Sequence, residues 1–186
     1  MADDLSWSVK SEEKLLDTRV FDIYSKKSES ETGITGDYVT IKAPNWVNVI
    51  AEYEGNFIMV RQYRHGLGGI TMEFPGGIAD KAGESIEETA KRELYEETGF
   101  VAENMVNMGS FNPNPALFEN TVTFCVAEGL APTETQHLDD DEVLKYYKIP
   151  VNDVIKSIGT GEYCHAFMGT AILMYLKYKG LEICSE

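Results

Sequence analysis

Hydrophobic and polar residues alternate in several short segments of the first half of the chain, and this alternation predicts β-strands. The expected strands, which are rich in Val, Ile, Thr and aromatic residues, are residues 36–43, 46–52 and 57–63. Between the last two, Glu54-Gly55-Asn56 predicts a hairpin turn. The polar segment 26–31 is interpreted as a turn between earlier strands.

A helical period replaces the alternation after Pro75-Gly76-Gly77, which ends a further short strand near Phe74. Ser85 with Glu88 three residues later predicts a capping box, and Gly99 is placed to end the helix. Apolar residues recur every fourth position on one face of this helix: Ile86, Ala90 and Leu94.

The second half of the chain predicts more strands and then helices. Strands are expected at 105–111, 121–128 and 143–149, and helices at 151–158 and 163–179, the last ended by Gly180. Strands, a central helix, more strands and closing helices indicate an α/β protein with a mixed sheet between helical layers.

Composition and charge narrow the functional classes. A chain of 186 residues with 43% hydrophobic content fits one globular domain, and its net charge of −15 argues against nucleic-acid polymers as partners. The most apolar stretch, 166–176, is too short to span a membrane. The N-terminus has no signal-peptide pattern, and the three cysteines form no Cys-x-x-Cys pair, so a cytoplasmic protein is expected.

Glutamates on the central helix form a candidate metal site. Glu93, Glu96 and Glu97 lie three and four residues apart, so their carboxylates project from one side of the helix. A solvated charged face is the alternative interpretation. Hard oxygen ligands at this spacing suit Mg²⁺ or Mn²⁺, which share their shell with phosphate oxygens.

The helix and its preceding turn resemble the Nudix box. In that motif a glycine, five residues and a glutamate precede seven residues and a glutamate-rich run. Here Gly77 is followed by six residues, Glu84 and seven residues, and then by Arg92-Glu93-Leu94-Tyr95-Glu96-Glu97-Thr98-Gly99-Phe100. The extra residue lies in the loop before the helix. The resemblance implies the Nudix fold, an α/β/α sandwich, with an N-terminal β arm.

The resemblance also implies roles within the box. The glutamates at Glu93, Glu96 and Glu97 would hold Mg²⁺, together with the backbone carbonyl of Gly76. Glu97 is also a catalytic candidate. Glu84 and Arg92, with Gly77 and Gly99, match structural positions of the box, where the first two brace the loop against the helix.

Three further segments resemble the ADP-ribose pyrophosphatase and nucleoside-diphosphate-sugar hydrolase branch of the family: residues 60–64, 72–77 and 112–115 with 137–142. This implies a small nucleoside diphosphate derivative as substrate, with ADP-ribose cleaved to AMP and ribose 5-phosphate. Arg64 matches the arginine that reaches a substrate phosphate and is favoured over Arg61. Glu73 matches a glutamate before the Pro-Gly turn and is a candidate for the pocket wall.

Glu142 matches the loop acid of this branch and is the candidate general base. A helix glutamate or a member of 139–141 is the alternative, and those three aspartates also fit a solvated acidic loop. The histidines share no ligand spacing and are interpreted as loop or helix residues: His65, His137 and His165.

The branch implies a homodimer that exchanges N-terminal strands. Residues 1–44 are therefore expected to form a strand arm, and 45–186 the catalytic domain. Candidates for stacking on the base are Trp7, Phe21, Tyr24 and Trp46, which the sequence does not rank. Two functions remain as alternatives: hydrolysis of GDP-sugars or nucleoside triphosphates, ordinary or oxidised, and a non-catalytic module that binds a nucleotide.

Overall fold

A computed structural model describes residues 5–133, 135–138 and 142–181. Its contacts divide the chain into two units, the first formed by Met1–Asn45 and Phe111–Val122, the second by Trp46–Ser110 and Thr123–Glu186. The strands are β1 (Trp7–Asp17), β2 (Asp22–Ser30), β3 (Thr35–Lys42), β4 (Asn45–Tyr53), β5 (Asn56–Arg64), β6 (Gly69–Glu73), β7 (Ile78–Ala79), β8 (Phe100–Phe111), β9 (Val122–Pro132) and β10 (Leu144–Pro150). The helices are α1 (Ile86–Thr98), α2 (Val151–Ser157) and α3 (Ala166–Tyr178).

The first unit contains a three-stranded antiparallel sheet in the order β1-β2-β3. The prediction of a turn at 26–31 is wrong, because most of that segment lies within β2. Lys26 explains the error: its ammonium pairs with Glu12 at 3.5 Å and with Glu119 at 2.5 Å, so a polar strand is stabilised by distant acids. The chain reverses later, near Gly33, whose φ is +83°.

The second unit is built on a sheet in which β10, β5, β4, β9 and β8 are successive neighbours, with β6 paired to β5 and β7 to β4. The predicted hairpin joins β4 to β5, with Tyr53 opposite Asn56. Its two central residues, Glu54 and Gly55, have φ of +51° and +76°. Both values are positive, as a type I′ turn requires, which matches the twist of the paired strands.

α1 packs on one face of this sheet. Ala90 and Leu94 are fully buried, and Ile86 packs against the same cluster, as the four-residue period predicts. The sheet contributes alternate residues to the cluster: Val47, Val49 and Ala51 of β4, Ile58 of β5 and Cys125 and Ala127 of β9. Alternate strand positions point to one face, so the intervening residues are available to the other face.

α3 packs on that other face. Phe57 lies edge-to-face against Tyr175 at 4.8 Å between ring centroids, and Phe124 against Phe167 at 6.1 Å. Aromatic pairs of this kind add to the free energy gained by burial. Helices therefore cover both faces of the sheet, as the sequence predicts. No helix in the described part of the chain combines the length and apolar character needed to cross a membrane.

The aromatic candidates for base stacking are described within their own units. Trp7 lies edge-to-face on Tyr38 at 5.5 Å, and the Lys42 ammonium lies 4.0 Å above the ring of Tyr24. Trp46 approaches Phe167 at 6.1 Å in the second unit. Their contacts do not test whether any of them stacks on a base, and the expectation for these residues and Phe21 stays a prediction.

Candidate active site

Local sequence fixes both ends of α1. The Ser85 side chain accepts the backbone N–H of Glu88, and the Glu88 carboxylate accepts the backbone N–H of Ser85, so the predicted capping box is present. At the other end Gly99 has φ +69° and donates its N–H to the carbonyl of Tyr95. This positive φ favours glycine, which explains why the helix ends there.

Glu97 lies on the buried side of α1 with only 3% of its surface exposed. Its Oε2 accepts the backbone N–H of Gly76 at 2.8 Å. Burial raises the pKa of Glu97 well above the ordinary value, and the charges of Glu93 and Glu142 raise it further. One hydrogen bond therefore does not compensate for removing this carboxylate from water.

Glu93 is also buried, at 8% exposure. Burial raises its pKa to about 7, and the charges of Glu96 and Glu142 act in the same direction, while Arg92 opposes them. Arg92 donates from Nη1 to Glu93 and to Glu96, at 2.7 Å in each case. The three helix glutamates thus differ: two are buried, and Glu96 is half-buried.

Arg92 links the helix to the loop before it. Its Nε donates to Glu84 at 3.2 Å, and Nη2 donates to the carbonyl of Ile78 at 3.4 Å. The loop also approaches the helix at Gly77, where an added Cβ would lie 2.4 Å from the carboxyl carbon of Glu93. These contacts show why a small residue precedes the loop and how Arg92 and Glu84 hold it against α1.

The residues fit a divalent cation. Glu93 and Glu97 supply hard oxygen atoms, and both are desolvated carboxylates with raised pKa values, which a bound cation would return to the charged form. Among the described residues no three acidic, His or Cys side chains already converge as a ligand set. Contacts with Arg92 and Gly76 hold the helix carboxylates in their present positions, so binding of a cation requires some of these contacts to be exchanged.

Arg64 stands beside this carboxylate group at the end of β5. It donates from Nε and Nη2 to the two carboxylate oxygens of Glu73, at 2.8 and 2.7 Å. The charges of Glu97 and Glu142 act on Arg64, raising its pKa further. Arg61 belongs to a different pair, in which Glu162 accepts both of its hydrogen bonds at 2.8 and 2.6 Å. Of the two arginines, Arg64 is therefore the one on which the charges of Glu97 and Glu142 act.

Two further residues beside Glu73 are not predicted from the sequence. Thr71 donates its hydroxyl to Glu73 at 2.5 Å, and Nε2 of His165 lies 4.0 Å from the same carboxylate. The two-residue spacing of Thr71 and Glu73 on one strand would have indicated a shared face. His165 comes from the N-cap of α3, where its Nδ1 accepts the N–H of Phe167, and no local signal connects it with Glu73.

Glu142 precedes β10 and is half-buried. Its charge acts on Glu93, Glu97 and Arg64 together, which places its carboxylate within electrostatic range of the site. The competing aspartates at 139–141 lie outside the described residues. Among the described residues of the predicted loop, Glu142 is the acid whose charge acts on α1.

Comparison with known proteins identifies the family. The sequence model of the NUDIX domain matches residues 41–164. The chain belongs to the Nudix family. It is a Nudix hydrolase, and the predicted Nudix fold is confirmed by a crystal structure of an ADP compounds hydrolase. That structure superposes with a TM-score of 0.83 at 24% identity and covers 96% of this chain and 99% of its own.

Two relatives are similar in sequence to this Nudix hydrolase. An ADP-ribose pyrophosphatase of Bacillus subtilis (strain 168) is 33% identical over 171 residues, which is 91% of each chain. A methanol dehydrogenase activator of Bacillus methanolicus is 32% identical over 148 residues, 78% of this chain and 80% of its own. One name describes a hydrolase and the other an effect on a second enzyme.

Proposed function

We propose that this Nudix hydrolase cleaves ADP-ribose to AMP and ribose 5-phosphate in a Mg²⁺-dependent reaction. The observation that carries the proposal is that the charges of Glu93 and Glu142 both act on buried Glu97, and that the charges of Glu97 and Glu142 act on Arg64. The similarity to the B. subtilis ADP-ribose pyrophosphatase over 91% of the chain supports the choice of substrate. In the absence of cations, the acids would repel a diphosphate.

Glu93, Glu96 and Glu97, with the carbonyl of Gly76, are proposed to hold Mg²⁺, with Mn²⁺ as a substitute. When bound, the cation neutralises the diphosphate and lowers the pKa of water. Water oxygen forms a bond to one phosphorus, the bridging P–O bond breaks, and the second phosphate leaves with the bridging oxygen. Glu142 takes the proton of the attacking water.

Arg64 is proposed to bind a substrate phosphate, and Glu73 to orient it. A guanidinium has five N–H donors, and Glu73 accepts two of those of Arg64. The remaining donors can contact phosphate oxygens while the Glu73 pair fixes the plane of the group. Because Glu73 is itself 5% exposed and holds Thr71 as well, this orientation is maintained before substrate binds.

The direct test supplies a panel of ADP-ribose, other nucleoside diphosphate sugars and nucleoside triphosphates with Mg²⁺, and resolves the products by chromatography. AMP and ribose 5-phosphate are expected, and activity should disappear after chelation and return with Mg²⁺. Release of monophosphate from triphosphates alone would move the enzyme to another substrate class. Undiminished activity after thorough chelation would exclude the metal-dependent reaction.

The base assignment has its own test. Glu142→Gln should lower kcat by about a hundredfold or more while KM changes little, because a general base acts in the transition state. Separate Asp→Asn variants at 139, 140 and 141 are the matched controls. Retained kcat in Glu142→Gln with collapse in one control would transfer the role to that aspartate, and activity in all four would transfer it to α1.

A second candidate function follows from the relative named as a methanol dehydrogenase activator, which is 32% identical to this chain. In that case the chain would act on another enzyme, with or without hydrolysis. The three helix glutamates, which a nucleotide-binding module does not require, favour hydrolysis as the primary activity. Full turnover of ADP-ribose by the isolated protein would support hydrolysis as the primary activity. Binding of ADP-ribose without turnover would instead favour action on another enzyme.

The homodimer and the cytoplasmic location remain predictions. For the dimer, the first unit exposes large apolar side chains on its sheet, among them Trp7, Val9 and Val39, at 45–55% exposure. A second copy of the arm would cover apolar surface of this kind. Light scattering coupled to size-exclusion chromatography should give twice the chain mass, and a monomer at micromolar concentration would contradict it.

A further inference from the structure

The C-terminal end of α1 is capped by a segment from elsewhere in the chain. The last carbonyls of a helix have no partner within it, and α1 has no basic residue in its last turn to interact with them. Thr133 donates its N–H and its hydroxyl to the carbonyl of Gly99, at 2.7 and 2.6 Å. His137 donates its N–H to the carbonyl of Glu96 at 2.9 Å, and the Gln136 side chain donates to that of Glu97.

A ring stack adds to these hydrogen bonds. The imidazole of His137 lies on the phenol of Tyr95, with 4.9 Å between ring centroids and 27° between planes. Thr135 Oγ1 lies 3.2 Å from Nε2 of His137, a second contact that restrains the imidazole. We call these contacts of Thr133, Gln136 and His137 with the end of α1 the C-terminal clamp. The position of this clamp on α1 places it next to the residues proposed for catalysis.

Tyr95 lies between Glu93 and Glu97 in sequence, so the clamp contacts the turn of α1 that carries both buried carboxylates. Further along the chain, Glu142 follows His137 by five residues. Five residues reach at most about 17 Å, so anchoring His137 limits where Glu142 can lie. The charge of Glu142 acts on Glu93 and Glu97, which agrees with a carboxylate held near them.

We infer that Tyr95 and His137 are positioning residues, whose ring stack anchors the chain to the Nudix helix five residues before Glu142 and so limits where Glu142 can lie. The inference rests on the proposed function of Glu142 as the general base. A displacement of about 1 Å at a reacting group can cost about a hundredfold in rate. Since the backbone hydrogen bonds of the clamp remain when the stack is removed, a smaller loss of kcat, about tenfold, is expected.

The test compares Tyr95→Leu with Tyr95→Phe, which keeps the ring. Tyr95→Leu should lower kcat about tenfold with KM for ADP-ribose within about twofold, whereas Tyr95→Phe should retain kcat. Tyr147→Leu is the matched control, since Tyr147 is a half-exposed tyrosine of β10 outside the clamp and should keep full activity. A role in stability alone would lower the melting temperature and leave kcat of the folded protein unchanged.

Combination with Glu142→Gln separates the two proposals. If the clamp acts through Glu142, then Tyr95→Leu should cause no further loss of kcat in the Glu142→Gln background. An equal loss in both backgrounds, or no loss in either, would overturn the clamp while leaving the base assignment intact. Retained kcat in Glu142→Gln alone would refute the base assignment and, with it, the positioning role.

Hydrogen exchange tests the contact without using activity. Loss of the stack in Tyr95→Leu should speed exchange at the His137 amide, which donates to Glu96, and leave the centre of α1 unchanged. Unchanged exchange at His137 would overturn the clamp even if the protein were inactive on every substrate tested.

Discussion

In the metal-free protein, raising the pH should destabilise the fold through Glu93. Burial raises the pKa of Glu93 from 4.5 to about 7. A carboxyl group with a higher pKa in the folded state binds its proton more tightly there than in the unfolded state. Between these two values the folded protein therefore holds the extra proton, and its stability falls as the pH rises through this window.

The magnitude follows from the pKa change. A difference of one in pKa corresponds to about 1.4 kcal/mol. The higher pKa of Glu93, about 7 in place of 4.5, therefore contributes about 3 kcal/mol to the free energy of unfolding, and this contribution is fully lost above about pH 7. Glu93 is only 8% exposed, so screening by solvent reduces this little. For a chain of this size, about 3 kcal/mol corresponds to about 6–12 °C in melting temperature. Glu97, whose pKa is also raised by burial, adds in the same direction.

The assay is thermal unfolding by circular dichroism in chelator, from about pH 5 to about pH 8, on the wild type and Glu93→Gln. Across this range the melting temperature of the wild type should fall by about 6–12 °C more than that of the variant, because the glutamine does not titrate. Added Mg²⁺ should stabilise the wild type more at the upper end than at the lower end, since it binds the charged carboxylates. Parallel pH curves for the two proteins would refute the assignment of a raised pKa to Glu93.

Three further predictions concern single side chains. Glu97→Gln should leave the protein folded and lower turnover at least about a hundredfold in steady-state assays, because a stabiliser of transition-state charge is lost; near-native turnover would remove Glu97 from the mechanism. Gly77→Ala should weaken Mg²⁺ binding measured by calorimetry, since the added Cβ would lie 2.4 Å from the Glu93 carboxyl carbon, whereas Gly66→Ala, with no atom within 4 Å, should not. Tyr175→Phe should lower the free energy of unfolding by about 1 kcal/mol without changing kcat, since it removes the 2.8 Å hydrogen bond to Glu52; an unchanged denaturation midpoint would contradict it.

The elements best predicted from the sequence are those whose determinants are local. The capping box at Ser85, the left-handed Gly99 and the Glu54-Gly55 turn are each fixed by residues a few positions apart, and all three are present. The segment containing Lys26 was interpreted wrongly because its stabilising partners, Glu12 and Glu119, are distant in sequence. A polar segment is compatible with either a turn or a strand until those partners are known.

The same distinction applies to the site. The spacing of Glu93, Glu96 and Glu97 on one helix follows from the helical period, although their unequal burial does not. The sequence singles out Arg64 and Glu73 separately. Pairing of β5 with β6 puts Glu73 opposite Val60 and Arg64 opposite Gly69, and the two side chains meet at 2.8 and 2.7 Å. His165 near Glu73 depends on how α3 packs, which no nearby residue indicates.

Burial of the helix glutamates links activity to a local loss of stability. Glu97 is 3% exposed and its carboxylate accepts the N–H of Gly76, while Glu93 shares Arg92 with Glu96. Substitution by neutral side chains of the same shape would remove like-charge repulsion and the cost of burying charge. Such variants would also lose the oxygen charge that attracts a divalent cation, so the most stable metal-free protein would be a poor hydrolase. Selection for cation binding therefore accounts for carboxylates at positions where packing alone would favour uncharged residues.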